Sequence, residues 1–157
     1  ASSTGEQANG SSRRPSISGD GRFIAFESTA SNLVAGDDGA QDVFVHDRID
    51  GSTRRLSEGS RMVRVPSLSA NGRFVAFSST APYPSTGDWF FEHVFVYDLV
   101  EASLRQVDGI TDDKDLGPAY FPRLSADGST VAFISTSGRL VEGDTNGRAD
   151  VFVAPLD

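Results

Sequence analysis

Hydrophobic and polar positions fall into short blocks along this chain, and no segment sustains the 3.6-residue spacing of an amphipathic helix. Three apolar runs, Phe23-Ile-Ala-Phe26, Phe74-Val-Ala-Phe77 and Val131-Ala-Phe133, each follow a turn dipeptide, Asp20-Gly21, Asn71-Gly72 or Asp127-Gly128. Such dipeptides accept positive φ in two-residue hairpin turns, so each run reads as the second strand of a hairpin. A half-solvated strand would alternate; these runs do not, which implies a sheet covered on both faces. A third strand carries Val43-Phe-Val45, Val94-Phe-Val96 or Val151-Phe-Val153. Asp50-Gly51 then turns the chain into a fourth, Thr53 to Ser57, whose mixed polarity suits an outer edge. The expectation is an all-β chain of four-stranded antiparallel units.

The units are copies of one another. Pro15-Ser-Ile-Ser-Gly-Asp-Gly-Arg-Phe-Ile-Ala-Phe26 returns as Pro66-Ser-Leu-Ser-Ala-Asn-Gly-Arg-Phe-Val-Ala-Phe77 and as Pro122-Arg-Leu-Ser-Ala-Asp-Gly-Ser-Thr-Val-Ala-Phe133, at spacings of 51 and then 56 residues. Four-stranded repeats of this length, stacked face to face around an axis, make a β-propeller. The repeated phrase, followed by Asp-Val-Phe-Val-x-Asp, resembles the propeller repeat of TolB and its bacterial relatives over almost the whole chain. That resemblance implies a family that is typically six-bladed and mostly binds proteins or polymers, with a few related propellers serving peptidases as accessory domains.

The copies divide the chain into blade 1 (15–65), blade 2 with an acidic linker (66–117) and blade 3 (118–157). Blade 3 stops after its third strand, and residues 1–14 are expected to supply an outer strand. Three blades do not close a ring, so the expectation is a homodimer of two half-rings, with residues 1–14 completing the partner's last blade. The alternative is a piece of a longer propeller.

Charge narrows the partners. The chain has 14 Lys and Arg against 22 Asp and Glu, a net charge of -8, which opposes binding to a phosphate backbone and argues against nucleic acid. No run is long and apolar enough for a membrane span, and the absence of cysteine removes disulfides and thiolate metal sites. The Ala1-Ser-Ser-Thr4 start suits a processed secreted or periplasmic chain, and equally a piece cut from a longer one.

Strand direction places the long connections, 29–42, 80–93, 135–150 and the linker 108–117, on one face, where binding residues are expected. Asp144, Asn146 and Asp150, echoed by Asp37 and Asp42, offer closely spaced oxygens around a glycine bend. They suit Ca²⁺, although the spacing is not that of an EF-hand, and the alternative is an Asx-turn loop in which the Asp side chains bond their own backbone, as such acidic loops more often do. The middle blade departs from its neighbours: Tyr83, Trp89, Phe90 and Phe91 enter the loop, and His93 replaces the aspartate found at positions 42 and 150. These residues form a candidate platform for a protein or carbohydrate, or else pack over a neighbouring surface. His93 beside Glu92 is the one candidate acid–base pair, whereas His46 reads as structural. No nucleophile elbow, phosphate loop, zinc-protease motif or dinucleotide fingerprint occurs, and no organic cofactor is implied. The reading is a non-enzymatic binding module, Ca²⁺-stabilised; its alternative is a small hydrolase or lyase with a site at the axial mouth near His93.

Overall fold

The computed structural model describes residues 5–57, 63–80, 91–109 and 117–156. Blade 1 is β1 (Ser12–Ile17), β2 (Phe23–Ser28), β3 (Asp42–Asp47) and β4 (Thr53–Arg55), and blade 2 is β5 (Arg64–Leu68), β6 (Phe74–Ser79), β7 (His93–Asp98) and β8 (Ser103–Gln106). Blade 3 is β9 (Ala119–Leu124), β10 (Thr130–Ser135) and β11 (Asp150–Pro155), so three sheets of sequentially ordered strands result. All pairings are antiparallel, and no helix occurs among the described residues. The chain has a β-propeller fold.

The unbroken apolar runs have the predicted cause. Val75, Phe77 and Phe95 of blade 2 pack with Ala25, Val43 and Val45 of blade 1, while Ala76, Val94 and Val96 pack with Val131 and Phe133 of blade 3. Successive residues of β6 thus face opposite neighbours, and every position of that strand is buried. Within each blade a phenylalanine pair spans the second and third strands: Phe26–Phe44, Phe77–Phe95 and Phe133–Phe152, with ring centroids 5.8, 6.1 and 6.0 Å apart.

The hairpin turns are longer than two residues. Ser18 N–H donates to Phe23 O at 3.0 Å, and the Asp20 carboxylate accepts from Ser18 Oγ and Arg22 N–H inside that loop. Asn71 and Asp127 repeat the arrangement, so the side chain at this position supplies an Asx-turn that a dipeptide rule does not anticipate. Glycine is needed beside it for space as well as for φ: at Gly128 (φ +72°) a Cβ would stand 2.5 Å from Phe74 Cδ2 of the preceding blade.

Residues 12–14, within the segment expected to supply an outer strand, are instead the start of β1, where Ser12 and Arg13 pair with Ser28 and Glu27 of β2 in the same blade. The segment before them is tied down locally: Asn9 N–H donates to Asn32 Oδ1, Ser31 N–H to Asn9 Oδ1, and Asn32 Nδ2 to Gln7 O. These bonds bring Ala8 over Leu33, Ala30 and Phe44, partly covering the open face of blade 1. Blade 3 lacks this cover, and Val151 and Val153 on β11 are 72% and 65% exposed.

Candidate functional site: the axial cleft and the long-loop face

The first strand of each blade faces the axis, and β1, β5 and β9 lie next to one another. Main-chain and serine bonds fasten them: Gly19 N–H to Ala70 O, Asn71 N–H to Ala126 O, Leu68 N–H to Ser16 Oγ and Leu124 N–H to Ser67 Oγ. In a chain of net charge -8, these three strands carry Arg13, Arg14, Arg64 and Arg123 and no acidic residue. Their sequences break register at one repeated place, the residue before the repeat proline. Arg14, Val65 and Phe121 there have φ of 52°, 53° and 56°. Left-handed backbone at a bulky residue costs about 1–3 kcal/mol, and bulges of this kind re-aim side chains.

The result is a cleft between the three strands lined by Arg14, Ser16, Val65, Ser67, Phe121 and Arg123. Phe121 is 49% exposed and meets Tyr120 edge-on with centroids 5.1 Å apart. Arg14 reaches back to the fully buried Glu27 at 3.0 and 3.1 Å, and Glu27 also accepts the N–H of the left-handed Val65. Arg123 donates to Pro122 O and has no carboxylate partner among the described residues. The cleft is therefore cationic at one end, with an aromatic wall beside it.

At the long-loop face, the start of the third strand is fixed differently in two blades. In blade 1, Val43 N–H donates to Ser57 Oγ and Ser57 Oγ–H donates to Asp42 at 2.6 Å. In blade 2 the carboxylate has moved to the linker: Val94 N–H donates to Asp108 Oδ2 at 2.9 Å, and His93 stands where Asp42 stands. Gln106 Nε2 donates to Asp108 Oδ1 at 2.7 Å. His93 Nδ1 lies 3.1 Å from Asp108 Oδ2, and a carboxylate has only acceptors, so we assign the proton to Nδ1. His93 and Asp108 are 4% and 3% exposed, which puts the imidazole in the interior rather than on the axial cleft. Glu92, its sequence neighbour, accepts from Ser78 Oγ and lies 3.4 Å from Arg64 Nε; its main-chain oxygen accepts from Ala119 N–H across the blade junction. The two residues of the catalytic alternative thus serve separate junctions.

Of the aromatic platform, Tyr83, Trp89 and Phe90 lie outside the described residues, and Phe91 is half-buried. The proposed metal residues do not converge. Asp37 and Asp42 come together with Asp38 of the same loop, whereas Asp144, Asn146 and Asp150 form a separate local turn in blade 3. Burial raises the Asp42 pKa, and the Ser57 hydrogen bond and Arg55 only partly oppose it, with Asp37 and Asp38 adding to the upward push. Arg14, Arg123 and Asp108 were also missed as site residues. The arginines could have been found by noting that they flank the repeat prolines, Arg13-Arg14-Pro15, Arg64-Val65-Pro66 and Pro122-Arg123.

Comparison with solved structures gives the fold a name. The chain superposes on TolB from Acinetobacter baumannii with a TM-score of 0.55 at 16% identity, over 92% of this chain and 29% of that one. It matches a putative TolB from Agrobacterium tumefaciens with a TM-score of 0.58 at 18% identity, over 92% of this chain and 51% of that one. The tricorn protease matches with a TM-score of 0.66 at 18% identity, over 96% of this chain and 14% of that one. The chain therefore spans about half or less of these relatives' lengths, and the likeness establishes a TolB-like propeller fold. No family model and no curated protein matches. No helix among the described residues is long and apolar enough to cross a membrane.

Proposed function

We propose that this chain is a non-enzymatic binding scaffold that holds a carboxylate-bearing segment of a partner protein in the axial cleft. The observation that carries the reading is Arg123, which lines the cleft without a carboxylate partner among the described residues, whereas Glu27 and Glu92 answer Arg14 and Arg64 from outside the axial strands. Arg123 is placed to pair with an incoming carboxylate, Phe121 offers an apolar contact beside it, and Ser16 and Ser67 line the same cleft. The three bulges support this, because strain repeated at one position of a repeat protein marks that position as constrained. The interior placement of His93, together with the separate engagement of Glu92, favours binding over turnover. Such a scaffold suits a periplasmic or secreted location, which cell fractionation checks.

Further blades complete the ring in this proposal, supplied by a second copy of the chain. Exposed Val151 and Val153 on the open face of blade 3 support it. The closing junctions differ from the internal ones, because Arg123 occupies the place of the acceptors Ser16 and Ser67 and has only donors.

The test is fluorescence anisotropy with labelled oligo-glutamate and oligo-serine peptides. Binding of the acidic peptide alone, weakening steeply with salt, supports the reading. Equal binding of both peptides, or of neither, overturns it.

A further inference from the structure

Blade 1 gathers three carboxylates where its second and third strands are joined. One oxygen each from Asp37, Asp38 and Asp42 lies within 4.8 Å of the others. Ca²⁺ holds its oxygens at about 2.3–2.6 Å, so oxygens on opposite sides of one ion stand roughly 5 Å apart. A single ion can therefore touch all three.

Proximity of acids alone shows nothing, but Asp37 adds a second observation. Its side chain is fully buried, Oδ1 accepts the Gly39 N–H at 3.0 Å, and Oδ2 is buried with no hydrogen-bond partner. An ionised oxygen held from water without a donor is destabilising, and native structures rarely leave one. Arg55 does not meet this need. Its guanidinium stands 3.8 Å from Asp37 Oδ1 and 3.6 Å from Asp42 Oδ2, beyond hydrogen-bond length, and approaches the other Asp37 oxygen. Three carboxylates against one guanidinium leave two negative charges, the complement of a dication.

We propose that blade 1 binds Ca²⁺ through Asp37, Asp38 and Asp42, with main-chain oxygens of the loop and water filling the rest of its shell. The all-oxygen donor set selects a hard cation over zinc or copper. A loop bent at Gly39 (φ +77°) and carrying one exposed ligand, Asp38, suits the variable shell of Ca²⁺ better than the octahedron Mg²⁺ demands. The blade 3 loop is not a second copy of the site. There Asp150 Oδ2 accepts from Asn146 Nδ2 at 3.0 Å, Asp144 Oδ1 accepts from Asn146 N–H, and Asn146 is exposed. Its acids serve the turn itself.

Isothermal titration of the intact chain with CaCl₂, after chelator treatment and dialysis, tests the assignment. One site is expected, with Kd roughly 10⁻⁴–10⁻³ M, the range of extracellular modules. Asp37→Asn, which preserves shape, should weaken binding at least tenfold. Asp38→Asn, at an exposed position, should weaken it while leaving the melting temperature in chelator unchanged, which separates ligand loss from misfolding. Arg55→Gln should bind at least as tightly as the native chain, and Asn146→Ala should bind equally. No heat up to about 10 mM Ca²⁺, an affinity unaltered by Asp37→Asn, or a site lost with Asn146→Ala would each overturn the proposal. None of these outcomes depends on the peptide-binding reading, which is tested without metal.

Discussion

Blades 1 and 2 hold the same N–H group of the third strand by exchanged chemistry, and the exchange can be reversed by mutation. In blade 1 the strand carries the acid and the linker carries the hydroxyl; in blade 2 the strand carries His93 and the linker carries Asp108. Changing His93→Asp alone sets two carboxylates against each other in the interior. By comparison with breaking buried pairs, it should cost about 3–5 kcal/mol, or be partly relieved by proton uptake. Changing Asp108→Ser alone leaves a hydroxyl for the Val94 N–H but takes an acceptor from His93 and Gln106, a loss of about 1–3 kcal/mol. The double variant rebuilds the blade 1 arrangement and retains only a volume deficit, because the pair Asp and Ser is smaller than the pair His and Asp by the difference between His and Ser. At about 24 cal/mol per Å³ of residual cavity, that deficit is worth roughly 1.5 kcal/mol. Urea unfolding of the four proteins should therefore give a coupling of about 2 kcal/mol or more, with the double variant more stable than His93→Asp. Additive losses would show that the two blades are not alternative forms of one lock, and the reasoning from repeat equivalence would fail.

Other consequences are smaller in scope. Glu27→Ala removes the acceptor of the Val65 N–H and the partner of Arg14, and should cost about 2–4 kcal/mol by chemical denaturation, with Glu27→Gln costing roughly half; an effect below about 0.5 kcal/mol would remove Glu27 as the link between blades 1 and 2. Gly128→Ala, with its Cβ driven into Phe74 at positive φ, should lower the melting temperature by several degrees, whereas Gly36→Ala, strained but in open space, should lower it less. Asp47 is held below the ordinary carboxylate range by hydrogen bonds from Arg22; at Asp98 burial pushes up, but the bonds from Arg73 and from the Val100 and Glu101 N–H groups together outweigh it, and Ser125 and Ser129 hold Asp127 at about 2. Because these folded-state values lie below the unfolded ones, their stabilisation is present above about pH 4 and lost as pH falls through the folded values, so Asp47→Asn should flatten the acid limb of stability measured from pH 5 to 2. Sedimentation equilibrium at micromolar concentration should give twice the chain mass, and a folded monomer would contradict the two-copy ring.

The fold was largely legible because repetition removes ambiguity. Phe23 to Phe26 by itself could be a buried helix or a strand; its recurrence after a turn dipeptide at Phe74 and Val131 selects the strand. The unalternating apolar runs gave the stacking of sheets, since β6 must satisfy a neighbour on each side. The first strand begins at Ser12, three residues ahead of the repeat proline, because the bulge at Arg14 lets Arg13 and Ser12 continue the pairing, which the repeated phrase starting at Pro15 does not state. The candidate site was less legible for a related reason. Departures between copies drew notice to His93, and the departure is real, but its compensation lies at Asp108, 15 residues away in a linker with no motif. The cleft is built from positions in three strands distant in sequence, and the bulges that aim it depend on backbone angles at Arg14, Val65 and Phe121 that no local pattern states.

The central claim is that the arginine-lined cleft between the first strands is where a partner binds. Titrating the ¹⁵N-labelled chain with an oligo-glutamate peptide and following amide shifts tests this most directly. The account predicts perturbations concentrated at Ser16, Ser67, Phe121 and Arg123, lost in Arg123→Glu, with the turns at Gly21, Gly72 and Gly128 unmoved. Shifts centred on those turns, or the same cleft shifts persisting in Arg123→Glu, would contradict it.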